Sequence, residues 1–392
     1  MKWPTLKLGE VAEVRIGPFG SLLHKEDYVA DGVPLVNPMH IERGSILPDP
    51  RHAVSVEKAS QLSNYRLAEG DVVLGRRGEM GRCAVVDATA NGYLCGTGSL
   101  IVRPGPALSS KFLSLLLSSP DMVRTLERES LGTTMPNLNQ EIVSKIQISL
   151  PPLDEQRRIA AILDHTDAIR IKQRAAIDCV NQLGHSEFAR MFDGIKPQAT
   201  LGECGDIQGG LQVTKARDSL PLAMPYLRVA NVHRGRLDLS EVKLISVTAT
   251  EQARTRLESG DLLFVEGHAN PREVGRVAMW TGEIHDCVHQ NHLIRFRPNA
   301  DRLDPVFAVA WFNSEAGASH FRRAGNTTSG LNTISTSTVR SAPTAIPPIG
   351  EQRRFRQFVS RVQQQHQHQL EVLAQIDELF ASLQSRAFRG EL

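Results

Sequence analysis

The apolar positions of this chain follow a helical pattern over two long segments. In residues 151–194, apolar side chains recur at steps of three and four, as in a helix that packs on another helix. The same spacing returns in residues 347–390, although residues 363–369 are glutamine and histidine only, where we expect a weaker seam. About 40 residues form a helix of about 60 Å. The pattern therefore predicts two unusually long helices.

The two helical segments are copies of each other. P-P-L-D-E-Q-R-R opens the first at 151–158, and P-P-I-G-E-Q-R-R opens the second at 347–354. Two prolines disfavour helix before them, so each helix should begin directly after its proline pair. Gly194 and Gly390 supply the stops. Because the offset of 196 residues holds without a gap, the chain is predicted to be an internal duplication.

The segments that precede the helices, residues 1–150 and 197–346, mix short strand patterns with short helical ones. The second repeats the order of the first: Gly70-Asp71, for example, returns as Gly260-Asp261. The offsets drift between 190 and 196, so short insertions have accumulated here but not in the helices. We expect two related globular domains whose surface details differ.

These patterns predict an α+β protein with two mixed α/β domains and a pseudo-two-fold internal duplication. The second domain begins where the first helix ends, so the second helix must run back along the first if the two pack. We therefore expect an antiparallel coiled coil. The predicted segments are a first domain at 1–150, a long helix at 151–196, a second domain at 197–346 and a C-terminal long helix at 347–392.

Composition narrows the choice of partners and compartment. The chain has 45 Lys and Arg against 43 Asp and Glu, so non-specific adhesion to nucleic acid is not expected to dominate. No apolar run is long enough for a membrane span, and we expect no membrane association. The five cysteines are scattered, which predicts reduced thiols and a cytoplasmic location.

Taken together, the motifs resemble those of the specificity subunits of type I restriction-modification enzymes, over the whole chain. They are P-P-L-D-E-Q-R-R-I at 151–159, P-P-I-G-E-Q-R-R-F at 347–355, G-P-F-G-S at 17–21, G-D-V-V-L at 70–74, G-T-T at 132–134 and A-F-R-G-E-L at 387–392. The resemblance implies two target-recognition domains, each followed by a conserved helix. Each domain would read one half of a bipartite target in double-stranded DNA.

The resemblance also implies partners that carry the chemistry. Modification subunits, expected to be two, would hold the long helices and methylate adenine with S-adenosylmethionine. A restriction subunit would use ATP and Mg to translocate and cleave DNA. No cofactor is expected in this chain itself.

The residues independently argue against catalysis. The sequence lacks a G-x-x-x-x-G-K-[ST] phosphate loop, and Asn37-Pro38-Met39 lacks the second proline and the aromatic residue of an adenine methyltransferase motif. His285, Cys287, His289 and His292 are spaced somewhat like zinc ligands, but no C-x-x-C pair accompanies them, so no metal site is expected.

Polar residues on glycine-flanked loops are the candidates for DNA contact. Arg76 and Arg77 offer forked donors that suit base edges, and Asn270 and Arg272 occupy the matching place in the second domain. An ordinary hairpin with solvated arginines is the alternative, and the paired threonines could equally cap turns. The full candidate set is Arg76, Arg77, Arg82, Thr133, Thr134, His268, Asn270, Arg272, Arg276, Thr327 and Thr328.

The helical stripes supply candidates for the partner interface. They are Ile159, Ile162, Ile177, Val180, Leu183, Phe355, Val359, Leu373, Ile376 and Leu379. The repeated E-Q-R-R at the helix starts is interpreted as a structural junction, with contact to the DNA backbone as the alternative. Two other functions stay open at this point: a stand-alone DNA-binding regulator and a coiled-coil scaffold.

Overall fold

The computed structural model describes residues 3–19, 22–42, 44–130, 137–325 and 332–392. The chain forms two compact units: unit 1 is Met1–Ala175 with Leu370–Leu392, and unit 2 is Ala176–Gln369. Four predicted DNA-contact residues, Thr133, Thr134, Thr327 and Thr328, lie outside the described residues. Within the described part of the chain, no helix is both long and apolar enough to span a bilayer.

Unit 1 contains two four-stranded sheets, ordered β2-β11-β8-β9 and β10-β4-β7-β3, and a two-stranded pair, β1-β12. Its strands are β1 Thr5–Lys7, β2 Ala12–Ile16, β3 Tyr28–Val29, β4 Val33–Val36, β5 Ile41–Glu42, β6 Ser45–Ile46, β7 Ala53–Val54, β8 Val72–Gly75, β9 Cys83–Val85, β10 Leu94–Cys95, β11 Ser99–Pro104 and β12 Gln147–Ser149. Its short helices are α1 Leu8–Val11, α2 Val56–Gln61, α3 Ser110–Leu117, α4 Pro120–Ser130 and α5 Gln140–Lys145.

Unit 2 repeats this plan with a four-stranded sheet, β14-β23-β19-β21, and a three-stranded sheet, β18-β15-β22. Its strands are β13 Ala199–Thr200, β14 Gly205–Gly209, β15 Leu222–Leu227, β16 Val232–His233, β17 Arg236–Leu237, β18 Lys243–Val247, β19 Leu262–Val265, β20 Gly267–His268, β21 Val277–Met279, β22 Val288–His289, β23 Leu293–Pro298, β24 Asn332–Thr333 and β25 Pro343–Thr344. Its short helices are α7 Ala249–Thr255, α8 Pro305–Asn313, α9 Glu315–Gly325 and α10 Thr336–Arg340.

The long helices are α6, Leu153–Phe192, and α11, Ile349–Arg389. Both begin within two residues of a proline pair, and α11 continues without a break through the polar stretch 363–369. Each helix contributes residues to both units.

Within unit 1, the beginning of α6 packs on the end of α11. Arg158 donates from Nη2 to the carbonyl oxygen of Leu392 at 3.0 Å. Twelve residues further along α6, Arg170 donates from Nε to Asp377 at 2.6 Å, and its guanidinium lies 4.5 Å from the ring centroid of Phe380. As the numbers rise along α6 they fall along α11, so the two helices are antiparallel here.

Within unit 2, the end of α6 packs on the beginning of α11 through aromatic rings. Phe355 lies 5.5 Å from Phe188 and 5.8 Å from Phe192, measured between ring centroids. Phe192 also meets Phe307 of α8 at 4.8 Å, which joins the helix pair to the core of the unit. The predicted fold class, with two mixed α/β domains and two long antiparallel helices, is confirmed.

The same buried ion pair supports the central strand of each large sheet. Asp71, 1 % exposed, receives two hydrogen bonds from Arg103, and Asp261, also 1 % exposed, receives two from Arg297. The preceding glycine has a φ of +89° in unit 1 and +95° in unit 2, a conformation that favours glycine. The repeated G-D motif is therefore a turn that leads into β8 and β19.

A buried glutamine joins each unit to its long helix. In unit 1, the Gln156 side chain accepts from the Ser109 N–H at 2.8 Å and donates to the carbonyl oxygens of Pro151 and Ala107. In unit 2, Gln352 accepts from the Asp304 N–H at 2.8 Å and donates to Pro347 and Arg302. Both glutamines are 0 % exposed. This glutamine of the repeated E-Q-R-R motif is thus a structural junction.

Replacing Gln352 with Met should lower the free energy of unfolding by about 3 kcal/mol, because the backbone groups of Asp304, Pro347 and Arg302 lose buried partners. The matched control is Gln357→Met, on the same helix but exposed, which should change stability by less than about 0.5 kcal/mol. Urea denaturation of the two variants measures the difference. Equal stabilities would contradict the junction role.

Candidate nucleic-acid interface

The ends of β8 and β19 are equivalent positions that carry opposite charges. In unit 1, the Arg76 N–H donates to Gly98 and the Arg76 carbonyl accepts from Leu138 at 2.9 Å. In unit 2, the Glu266 N–H donates to the backbone carbonyl oxygen of His292 at 3.0 Å. The Glu266 carbonyl oxygen accepts from the Ile334 N–H at 2.8 Å. The backbone hydrogen bonds match one for one, so the Arg76 and Glu266 side chains start from equivalent backbone positions.

Arg76 does not face solvent as the loop prediction expected. The residue is 6 % exposed, and its Nε donates to Oδ1 of Asn137 at 3.0 Å. Burial, and after it the neighbouring charge of Arg77, lowers the pKa of Arg76. The Arg76 side chain therefore holds Asn137 in place, which is a positioning role. Arg77 is exposed, and among the described residues its guanidinium has a single long contact, of 3.5 Å, to Asn137. It therefore keeps forked donors available.

Arg82 and Arg276 also make hydrogen bonds and ion pairs within this chain. Arg82 donates to the carbonyl oxygen of Pro38 at 3.2 Å and pairs with Glu79. Arg276, 7 % exposed, donates to Val229 at 3.2 Å and Val232 at 2.7 Å, and pairs with Glu273.

Since Pro38 and Val229 begin equivalent 3-10 turns, the two arginines anchor the same turn in each unit. In this conformation Arg76 and Arg276 are buried, whereas 37 % of the Arg82 side chain is exposed, and their contact with DNA stays a prediction.

The predicted loop of unit 2 is a compact turn. His268 Nδ1 accepts from the Asn270 N–H at 3.0 Å, and Asn270 Oδ1 accepts from the Arg272 N–H, also at 3.0 Å. The Asn270 side chain thus holds the turn, and its contact with DNA stays a prediction. Arg272 is exposed, and its guanidinium has no partner among the described residues. Arg272 therefore stays a candidate for DNA contact.

Beside this turn lies an open cleft of about 730 Å³, which we call the unit 2 cleft. Its polar lining includes Glu266, His268, His292, Thr333, Ser335 and Thr338. His292 Nδ1 lies 3.0 Å from Oε2 of Glu266. Glu266 is not among the residues predicted from the sequence. The signal for it is the alignment of the two copies after their G-D motifs, which places Glu266 where the first copy has Arg76.

The zinc-like spacing near His285 does not bring ligands together. His285 is 93 % exposed as a side chain, whereas Cys287 is buried and its Sγ lies 3.6 Å from the Val288 carbonyl. His289 is fully buried between the carbonyl oxygens of Thr255, at 3.0 Å, and Gln208, at 3.3 Å. Cys287 and His289 thus belong to the buried interior of unit 2, whereas His285 lies on its surface.

A different group, His40, Asp49 and His52, places three potential ligand atoms within 4.8 Å of one another. The bonds already present do not suit a metal. Because His40 Nδ1 accepts from the Asn37 N–H at 3.1 Å, a neutral ring carries its proton on Nε2 and has no lone pair left there. Arg51 donates to both oxygens of Asp49. We assign this cluster no ion.

The helical stripe residues divide by exposure. Ile159 and Phe355 are buried in their own units, at 0 % and 1 % exposure, and Ile177 is 8 % exposed. The residues of intermediate exposure are Ile162, Val180, Val359, Leu373 and Ile376. Leu183 and Leu379 are exposed, at 45 % and 53 %, and they occupy the same position in the two copies. Among the predicted set, this pair is best placed to meet a partner.

Comparison with known proteins points to one family. Residues 1–180 match the family model described as "Type I restriction modification DNA specificity domain". The chain is 25 % identical to the type I restriction enzyme EcoKI specificity subunit of Escherichia coli K12, over 94 % of this chain and 83 % of that protein. It is 22 % identical to the StySPI specificity subunit of Salmonella potsdam, over 92 % and 83 %.

The fold is also similar to a chain in a solved structure concerned with complex assembly and conformational transition of the type I R-M system. The TM-score is 0.67 at 21 % identity, and the match covers 100 % of this chain and 98 % of that one. At this identity the likeness concerns the fold.

Unit 2 should lose stability in acid because of His289. Burial lowers the pKa of His289 to about 4, from an ordinary value of 6.5. Between these values the unfolded chain binds a proton that the folded chain does not, so the free energy of unfolding should fall as pH drops from 6.5 to 4, by about 3 kcal/mol at most.

Urea denaturation across this pH range measures the effect. His289→Gln should remove most of this slope, whereas His285→Gln, at an exposed position, should leave it unchanged. An identical slope in both variants would contradict the assignment.

Proposed function

We propose that the chain belongs to the family of type I restriction-modification DNA specificity subunits and that it selects the DNA target of a complex whose other subunits carry out the reactions. The chain supplies recognition and no catalysis. We propose further that the target is double-stranded and bipartite, and that each unit reads one half.

The observation that carries this proposal is the contrast between frame and strand end in the two units. The buried glutamine junction and the buried Asp–Arg pair are the same in both. At the equivalent strand ends, unit 1 has the buried Arg76 followed by the exposed Arg77, whereas unit 2 has the partly exposed Glu266 followed by Gly267. Base edges in the major groove differ in their donors and acceptors. Two copies of one frame with different polar groups therefore suit two different short sequences.

The exposed leucines support a specific assembly. Leu183 and Leu379 lie at the same position of two copies, so one kind of partner can dock at each. We propose that the partners are two modification subunits, with a restriction subunit joining them. S-adenosylmethionine, ATP and Mg would bind to those subunits, because this chain is proposed to hold no cofactor.

The specificity subunits among the relatives favour this function over a stand-alone regulator or a coiled-coil scaffold. A regulator would bind its site tightly without partners. A scaffold would not select DNA by sequence. Both differ from the proposed subunit in what happens when a modification subunit is added.

Methyl transfer with purified components tests the function. The chain alone should transfer no methyl group from labelled S-adenosylmethionine to DNA. A cognate modification subunit, combined with the chain, should methylate DNA at defined sites. The double variant Leu183→Asp, Leu379→Asp should keep the circular dichroism of the parent yet bind the modification subunit at least about tenfold more weakly, since charges would enter an apolar contact.

Methylation by the chain alone would overturn the proposal. So would methylation of the same sites by the modification subunit without this chain.

A further inference from the structure

We propose that Glu266, together with His292, reads the exocyclic amine of a cytosine in the half of the target that unit 2 contacts. This inference rests on the proposed function and deepens it, because it names a specificity-determining residue and the base chemistry that it selects.

The position of Glu266 is fixed by its backbone. Its N–H donates to the carbonyl of His292 at 3.0 Å, and its carbonyl accepts from the Ile334 N–H at 2.8 Å. The side chain leaves the end of a buried strand and enters the unit 2 cleft, where 30 % of its surface is exposed. The backbone of Glu266 is therefore fixed beside the cleft, and the contact with His292 Nδ1 at 3.0 Å orients the carboxylate.

The carboxylate of Glu266 presents acceptors only. A carboxylate can accept but not donate, so His292 Nδ1 is the donor in the 3.0 Å contact. The second oxygen of Glu266, Oε1, has no hydrogen-bond partner among the described residues. An acceptor on Glu266 thus stays available beside the cleft.

Cytosine is the base whose major-groove edge best fits an acceptor. In a duplex, one hydrogen of its N4 amine pairs with guanine O6 and the other can donate in the major groove, where no acceptor lies beside it on the same base. Guanine presents N7 and O6, and thymine presents O4. All three atoms are acceptors, so their lone pairs would repel those of the Glu266 carboxylate. Adenine has a donor at N6 but an acceptor at N7. The geometry therefore favours cytosine, and adenine is the second choice.

The first unit shows that the fold does not need this pair. Arg76 stands at the place of Glu266, and Gly98 stands at the place of His292. An exposed contact of this kind adds little to stability. His292 is 57 % exposed, and its side chain makes no other hydrogen bond among the described residues. A carboxylate at this place is thus better explained by what it binds than by what it stabilises.

The test uses the full chain assembled with a modification subunit and a library of DNA duplexes with randomised sequence. Bound duplexes are recovered and sequenced for the parent and for each variant. Glu266→Gln replaces one acceptor with a donor but keeps the shape, so the preference for cytosine should fall about tenfold at one position of one half-site. Glu266→Arg should favour guanine at that same position.

The matched control is Arg77→Gln, beside the equivalent position in unit 1. It should alter base preference in the other half-site and leave the cytosine position unchanged. Thermal unfolding of each variant monitors folding. If Glu266→Gln does not fold, His292→Ala takes its place, and it should weaken the same cytosine preference.

The outcomes separate the two levels of the proposal. If the parent complex selects no bipartite sequence, the proposed function fails. If the parent selects one and the folded variants change no position of it, or change both half-sites equally, the reading by Glu266 is wrong while the proposed function stands.

Discussion

In each globular unit, one buried glutamine completes the junction with the long helix, beside the apolar packing of that helix on the core of the unit. Gln156 and Gln352 each satisfy one backbone N–H and two carbonyl oxygens in a place closed to water. Losing such a residue leaves several buried polar groups unpaired, each costing about 1–3 kcal/mol. This cost explains why a glutamine stands at this place of the E-Q-R-R motif in both copies.

The exposed side chains near the strand ends can differ between units, whereas the buried ones are restricted by their contacts. Glu266 and His292 are partly exposed and contribute little to stability, so their chemistry can change without loss of the fold. Arg76 is different, since it is buried and its guanidinium is bonded to Asn137. A recognition unit of this kind thus combines buried positions, which maintain its structure, with neighbouring exposed positions, which can contact DNA. Similar residue types serve both purposes.

The repeated architecture could be predicted from the sequence because it depends on local and periodic signals. The proline pairs, the apolar steps and the 196-residue offset place α6 and α11 to within a few residues, and chain connectivity predicts their antiparallel pairing. The roles of individual arginines could not be predicted in this way. Arg76 meets a residue 61 positions away, and Arg276 meets carbonyls 44 and 47 positions away. No periodicity indicates contacts at such distances, so a buried arginine and an exposed one look alike in the sequence.

The central claim is that two copies of one frame read two different short sequences for a single complex. Single-molecule sequencing of methylated DNA, from a host that carries this chain with its modification partner, tests it most directly. The account predicts one methylated motif made of two short defined segments, unlike each other and separated by a gap of fixed length and free sequence. A single uninterrupted motif, or two identical segments, would contradict it.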